Sequence, residues 1–227
     1  GINNQNEVVG STFDGVRIRT FLVSASGLSF PELPDGAFPE DVNDLGQIVG
    51  FLQNVLPGGA GPYGFVYSSG TWQVAGPPPL LLSSSYARGI NNYGNIVGHG
   101  EMGCLFCERR FAFFDDTIES GFISFCGVND AGDIVGFAQD GFWRSGGVDT
   151  PIAFPVSTGT IPNDINNVIT IVGDYHAQDN GLRSTHGFVW SNGRYVSLDV
   201  PGASETRVEG VNDAGVIVGS FITGREG

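Results

Sequence analysis

Six copies of one short motif constrain the fold of this chain more than any other feature of its sequence. Each copy contains an apolar residue followed by Asn, a polar turn, and a run of Ile and Val that ends in glycine. The closing glycines are Gly10, Gly50, Gly98, Gly136, Gly173 and Gly219. Their mean spacing of about 42 residues is typical of propeller blades and of helical-pair repeats.

The motif itself favours the propeller. An apolar-Asn pair, a tight turn and an Ile-Val run predict two short strands, a and b, whereas helical repeats need apolar residues at three-to-four spacing. The residue just before strand b must tolerate a positive φ, and it is glycine in four copies and Asn6 in the first. Ile169 stands there in the fifth copy. We expect that turn to differ locally, because a β-branched residue would be strained.

Two further strands follow each of the first five copies. Strand c is aromatic-rich, and strand d follows it after a short turn. We predict strand c at Thr20–Val23, Gly64–Tyr67, Phe111–Phe114, Gly141–Arg144 and His186–Trp190, and strand d at Leu28–Glu32, Thr71–Ala75, Gly121–Phe125, Pro151–Phe154 and Tyr195–Asp199. Four antiparallel strands match one propeller blade. Residues 1–227 therefore predict one all-β domain of five four-stranded blades with a and b toward the centre, or alternatively six blades with one incomplete.

Strand alternation assigns the connections to two faces of the propeller. The tight a–b and c–d turns share one face, and the longer b–c and d–a connections share the other. Because function concentrates on variable loops carried by a rigid scaffold, we take the second face as the candidate ligand site. Its candidate residues are Tyr63, Tyr86, Arg88, His99, Arg109, Tyr175, His176 and Asp179.

Composition excludes two classes of partner. The net charge is −14, which argues against nucleic acid because phosphate neutralisation needs clustered Lys and Arg. It also disfavours adsorption to anionic membranes. We expect no membrane insertion, since no apolar run approaches the roughly 18 residues of a membrane span. The chain opens inside a repeat, so we expect a mature or trimmed form.

The cysteines favour a disulfide over a metal site. Cys104 and Cys107 fall in a b–c connection, and Cys126 falls at a d–a junction of the same face. We predict one disulfide that joins Cys126 to Cys104 or Cys107, with a bond between Cys104 and Cys107 as an alternative. A zinc site would recruit His99, but a single CxxC without a second pair is weak evidence for one. We assign no metal and no cofactor.

No residue pattern identifies a catalytic centre. The Asn and Asp residues of the motif turns, such as Asn43/Asp44 and Asn91/Asn92, could form a ring that binds cations or sugars. The favoured interpretation is that they bond their own backbone two residues on. The loop Asp174-Tyr175-His176 has catalytic residue types but no nucleophile motif. We assign no catalytic residue and expect a protein that is not an enzyme.

The repeat resembles a known family. Ile-Asn-Asn-x-Gly-x-Ile-Val-Gly followed by His-Gly-Phe-Val-Trp at 186–190 is similar to the HAF-type extracellular repeat of secreted bacterial proteins. The resemblance covers essentially the whole chain, with departures at Ile169 and at the first position of the second half. It implies a secreted or cell-surface β-propeller-like array and no settled enzymatic activity.

The copies of a and b outnumber those of c and d by one. The surplus hairpin invites pairing with another chain, because a lone two-stranded hairpin is marginal and its edges are open. Its candidate assembly residues are Val211, Val216, Ile217, Val218 and Phe221. Three outcomes are open: the blade continues beyond residue 227, the ring closes with one two-stranded blade, or the hairpin completes a neighbour's blade and builds head-to-tail filaments.

Three functions remain open. We predict a non-catalytic extracellular module for binding or assembly, whose partner is a second copy, a glycan or a surface protein. The alternatives are a carbohydrate-binding lectin and a carbohydrate-active hydrolase or lyase. An enzyme should place two or more carboxylates at the mouth of the axial channel, a lectin should repeat an aromatic-polar pocket in each blade, and an assembly protein should present unpaired strand edges.

Overall fold

The structure is a β-propeller, and its described residues contain no helix. The computed structural model describes residues 1–53, 61–77, 84–104, 107–179 and 182–223, without the side chains of 102–104, 107–109, 179 and 182. In these ranges 21 strands form five sheets around a central axis. The described part of the chain contains no helix that could span a membrane.

Four of the sheets are one blade each, and the fifth contains blade 5 together with a further hairpin. The innermost segment of each blade is the earliest in the chain. Blade 1 contains β1 (Val8–Phe13), β2 (Ile18–Ser24) and β3 (Gly27–Ser29), and the bridge between Ile2 and Val8 supplies its innermost segment. Blade 2 contains β4 (Ala37–Val42), β5 (Ile48–Leu52), β6 (Tyr63–Ser68) and β7 (Thr71–Val74). Blade 3 contains β8 (Ser84–Ile90), β9 (Ile96–Cys104), β10 (Cys107–Phe114) and β11 (Thr117–Ser120). Blade 4 contains β12 (Ser124–Val128), β13 (Ile134–Phe137), β14 (Gly141–Ser145) and β15 (Val148–Ile152). Blade 5 contains β16 (Gly159–Ile165), β17 (Thr170–Asp179), β18 (Leu182–Ser191) and β19 (Arg194–Leu198).

The surplus hairpin takes a sixth position around the axis. It consists of β20 (Ala203–Val211) and β21 (Ile217–Thr223), which we call blade 6. A single parallel bridge between Thr185 and Glu205 joins it to the sheet of blade 5. The fold is therefore five blades plus a two-stranded sixth, which agrees with the second of the three expected outcomes.

A ring of buried asparagines closes these six positions. The Nδ2 of each motif Asn donates to the backbone oxygen of the next one, at 2.9–3.3 Å. The ring runs through Asn3, Asn43, Asn91, Asn129, Asn166 and Asn212 and returns to Asn3. Asn212 accepts a hydrogen bond from Asn166 and donates one to Asn3. The inner hairpin of blade 6 therefore has the same ring contacts as the inner hairpins of the complete blades.

The same asparagines build the turns locally. Oδ1 of Asn43 accepts hydrogen bonds from the backbone N–H of Leu45 and Gln47, at 3.1 and 3.0 Å. This confirms the interpretation that the motif Asn bonds its own backbone. The expectation for Ile169 is wrong: it adopts φ 59° like Asn6, within the same hydrogen-bonded turn. The bonds to Asn166 hold the turn in shape despite the β-branched side chain.

A phenylalanine of strand c lies opposite the closing glycine of strand b in each of blades 1 to 5. The pairs are Gly10–Phe21, Gly50–Phe65, Gly98–Phe113, Gly136–Phe142 and Gly173–Phe188. A Cβ added at Gly10, Gly98 or Gly136 would meet the ring of its partner. The glycines therefore make room for rings that fill the space between blades, and Phe65, Phe113 and Phe188 are fully buried.

The predicted strand positions need two corrections. Strand d of blade 3 is Thr117–Ser120, not 121–125, because the chain turns at Asp115 with φ 49° and Phe125 already belongs to strand a of blade 4. Strands a and b are also longer than the motif, so that β8, β16 and β20 include residues that we expected in loops. These residues pair with the extended b strands, and their backbone bonds are satisfied in the sheet.

Candidate functional site

Most of the predicted ligand-site residues lie in strands rather than in loops. Tyr63 is in β6, Tyr86 and Arg88 are in β8, and His99 is in β9. Tyr175 and His176 are in β17 of another blade. The side chains of Arg109 and Asp179 lie outside the described residues. The structure brings Tyr86 and His99 together as stacked rings 5.1 Å apart, and it buries Tyr63 in blade 2.

A cavity of about 460 Å³ opens along the axis, at the end opposite the asparagine ring. Arg88 and His99 line it together with Asp174, which the sequence analysis named among catalytic residue types, and with three charged residues that were not among the predicted site residues, Glu40, Arg207 and Glu209. Nη1 of Arg88 lies 2.9 Å from Oε1 of Glu40, in an ion pair between blades 3 and 2. The axial cavity is therefore polar and carries charges of both signs.

Burial shifts the protonation of several groups in the axial cavity. It raises the pKa of Asp174 to about 6, although the N–H of Val208 bonds to this carboxylate. Burial lowers the pKa of His99 to about 4, and the nearby Arg88 and Arg110 lower it further. Nδ1 of His99 has no hydrogen-bond partner among the described residues. At neutral pH the cavity thus contains an uncharged imidazole and a carboxyl group that titrates just below neutrality.

The structure does not form the predicted disulfide of Cys126. This residue is a free, buried thiol on the axial cavity, and burial raises its pKa to about 11. Cys104 stands five residues beyond His99 along β9, which is about 17 Å of extended chain. A disulfide needs Cα atoms within about 7 Å, so Cys126 is too far from that hairpin end. The side chains of Cys104 and Cys107 are outside the described residues.

A second polar ring surrounds the other end of the axis. Its six members alternate between Asn and Asp: Asn4, Asp44, Asn92, Asp130, Asn167 and Asp213. Each Asn donates from Nδ2 to the Asp on either side, at 2.9–3.0 Å. The Asn and Asp side chains that we considered for cation or sugar binding are therefore hydrogen-bonded to one another. In the described part of the chain no group of three or more His, Cys, Asp or Glu is arranged to hold a metal ion.

Two half-buried aspartates lie between the two ends of the axis. Asp41 in blade 2 and Asp164 in blade 5 occupy the position where blades 3, 4 and 6 have glycine. Burial raises the pKa of both carboxyl groups, and the charge of Asp41 raises that of Asp164 further. Backbone N–H groups of Ile90 and Val211 bond to them across the blades. Both carboxyl groups therefore keep their protons at a higher pH than free aspartic acid does.

The outer edge of β21 has no strand partner among the described residues, and we call it the open edge. In this blade Phe221 and Ile222 are both 55% exposed, and Val216 is also exposed. Ile217 and Val218 are half-buried, whereas Val211 of β20 is buried against blade 5. Of the predicted assembly residues, Val216 and Phe221 are therefore exposed, Ile217 and Val218 are partly accessible, and Val211 belongs to the core.

Both flanks of the open edge are uncovered. A cavity of about 390 Å³ lies between blades 1 and 6, lined by Phe21 together with Val218, Gly219 and Ser220. On the blade 5 side, Leu198 is 39% exposed. Its equivalents Ala75 and Ile152 are 5% and 1% exposed, and they pack in clusters with Phe113 and Phe188 of the following blades. Blade 6 supplies no such phenylalanine, and Leu198 is left in contact with solvent.

No protein-family model matches this chain, and no curated protein matches it either.

Proposed function

We propose that this chain is a secreted, non-catalytic propeller that acts as an extracellular binding or assembly module and accepts a β-strand at the open edge. The observation that carries the proposal is Gly219, the one closing glycine that has no phenylalanine opposite it among the described residues. Unpaired N–H and C=O groups along a strand are a template for strand addition. The resemblance of the repeat to the HAF type supports the extracellular location.

The strand that fits the open edge is defined by the other blades. In each of them the neighbour of strand b places Phe opposite the closing glycine. A partner strand with Phe at this position would cover Leu198 on one side and the cavity beside Phe21 on the other. Its backbone would add ladder hydrogen bonds that contribute about 1 kcal/mol each.

The test uses a peptide of residues 61–76, the c–d hairpin of blade 2, as the probe strand. We expect it to bind the chain in a fluorescence titration, and the Phe65→Ala peptide to bind at least about tenfold more weakly because a buried aromatic contact is lost. Phe221→Lys in the chain should weaken binding as well. Val148→Lys, on the outer strand of blade 4, is the matched control for an exposed apolar residue and should have no effect. Equal affinity of both peptides would contradict the proposal.

A second candidate function is carbohydrate binding or cleavage in the axial cavity. It is favoured by the carboxyl groups of Glu40, Asp174 and Glu209 around one cavity, with Asp174 titrating near pH 6. Among the described residues, stacked Tyr–His pairs occur in blades 3 and 5 and not in the other blades, which makes a lectin with one site per blade the weaker form. Reducing-sugar release from a polysaccharide panel that Asp174→Asn abolishes would establish this function. Equal activity of wild type and variant would remove it.

A further inference from the structure

The open edge carries a sequence that complements itself. β21 reads Ile217-Val218-Gly219-Ser220-Phe221-Ile222-Thr223, with Ser220 at its midpoint. Phe221 stands two residues after the closing glycine, on the same face of the strand. The corresponding residues of the other copies are Thr12, Leu52, Gly100, Ala138 and Tyr175. Blade 6 alone has Phe at this position.

An antiparallel pair of β21 strands centred on Ser220 reproduces the contact seen in the five other blades. In that register Gly219 of each copy lies opposite Phe221 of the other, because residues equidistant from the centre are partners. Directly opposite residues share a face, so each ring would lie over the glycine of the partner. Val218 would face Ile222, and Ile217 would face Thr223.

The charges of the strand permit this pairing. β21 contains no Lys, Arg, Asp or Glu, so no like charges meet across the centre. Edge strands of soluble proteins are commonly protected by such charges or by proline, and β21 has neither. The pair would also form a four-stranded sheet in the order β20, β21, then β21 and β20 of the second copy, which equals the strand number of blades 2 to 5.

From these observations we infer that the occupant of the open edge is β21 of a second copy, paired antiparallel about Ser220. The inference rests on the proposed function, since it names the strand that the open edge accepts. The contact uses the same surface on both copies and therefore closes as a two-fold dimer. It differs from the head-to-tail filament, one of the three outcomes that the sequence left open, because a filament needs β21 to pair with a different edge of its neighbour.

Disulfide trapping tests the register directly. In a chain with Cys104→Ser and Cys107→Ser, we add Ser220→Cys, oxidise the protein, and measure covalent dimer on a non-reducing gel. Two copies of residue 220 would lie about 5 Å apart across the dimer axis, within the range of a disulfide. The matched control is Ile222→Cys, whose two copies would be about 13 Å apart. We expect Ser220→Cys to form covalent dimer at least about tenfold faster than the control.

A mixed pair gives an independent measure of the same register. Val218→Cys and Ile222→Cys chains should cross-link with each other when mixed, and each should cross-link poorly alone. Equal trapping at 220 and 222, or formation of higher polymers in place of dimers, overturns the inference. If the dimer is not trapped but the hairpin peptide of blade 2 still binds, the proposed function stands and the second copy is the wrong occupant. If neither occurs, both fail.

Discussion

Blades 2 and 6 have the same inner hairpin but differ in everything outside it. In blade 2, β6 covers the closing glycine with Phe65, and the outer positions of the blade are buried under blade 3. In blade 6 the inner strands bond into the asparagine ring just as tightly, yet Phe221 and Ile222 of β21 are exposed. The comparison shows that ring closure fixes the inner hairpins, while strands c and d serve to cover the glycines and the neighbouring blade.

The largest difference between the two kinds of blade should appear in phenylalanine truncations. Phe113 is fully buried between blades 3 and 2, so Phe113→Ala should lower the free energy of unfolding by about 3–5 kcal/mol. Phe221→Ala should cost less than about 1 kcal/mol in the monomer, because the side chain is already largely in water. Urea unfolding at low protein concentration measures both. Similar losses would show that β21 is covered within its own chain.

Substitutions in the asparagine ring should destabilise the protein by similar amounts in a complete blade and in blade 6. Asn91→Ala leaves two backbone N–H groups without their acceptor, and Asn212→Ala leaves one. Each substitution also removes one of the two hydrogen bonds that the carbonyl oxygen of the next repeat accepts. We expect each substitution to cost about 2–3 kcal/mol, the range for buried groups that lose their partners. Asn192→Gly, in an exposed turn with positive φ, is the control and should be close to neutral. A loss at Asn212 well below that at Asn91 would mean that blade 6 is not part of the ring.

The smallest expected effect is on the pH dependence of stability, and it concerns the position where blades 2 and 5 have aspartate and blade 6 has Gly210. The unfolded chain ionises its aspartates near pH 4. The folded chain retains the proton of Asp164 up to about pH 8, because burial and Asp41 raise its pKa. Stability should therefore fall as the pH rises from about 4, where the unfolded chain ionises, toward the raised pKa of Asp164, and it should level off above that value.

The charge of the N-terminal amino group also acts on both aspartates, so the contribution of Asp164 has to be measured by comparison with a variant. His99, with its pKa lowered to about 4, is uncharged in the folded state at neutral pH, and the Cys126 thiol remains protonated. Urea unfolding at a series of pH values measures the slope, and Asp164→Asn should flatten it whatever its effect on overall stability. An unchanged slope in the variant would assign the pH dependence to other groups.

One further pattern in the sequence predicts the number of positions around the axis. The residue after each motif Asn alternates between Asn and Asp around the six copies, from Asn4 to Asp213. An alternating ring closes without a mismatch only when the number of positions is even. The structure shows this ring closed between Asp213 and Asn4, at 2.7 Å from the N–H of Asp213 to Oδ1 of Asn4. The pattern therefore favours six positions over five before any coordinates are known.

The sequence by itself determined the blade, because everything that builds one is local. The motif Asn and the residue with positive φ form the turn within five residues, and the short turns after strand c join it to strand d. The lengths of the strands could not be predicted from the sequence. β9 and β17 extend beyond the motif because a partner strand bonds to their backbone N–H and C=O groups.

Only the tertiary structure decided how the copies meet. The ion pair of Arg88 with Glu40, the opposed aspartates and the open edge each depend on residues some 40 or more positions apart, brought together by closure of the ring. No local pattern encodes such distances, because they follow from the number of blades and their twist. For the same reason the predicted disulfide failed: Cys104 and Cys126 share a face of the propeller but lie at different depths along the axis.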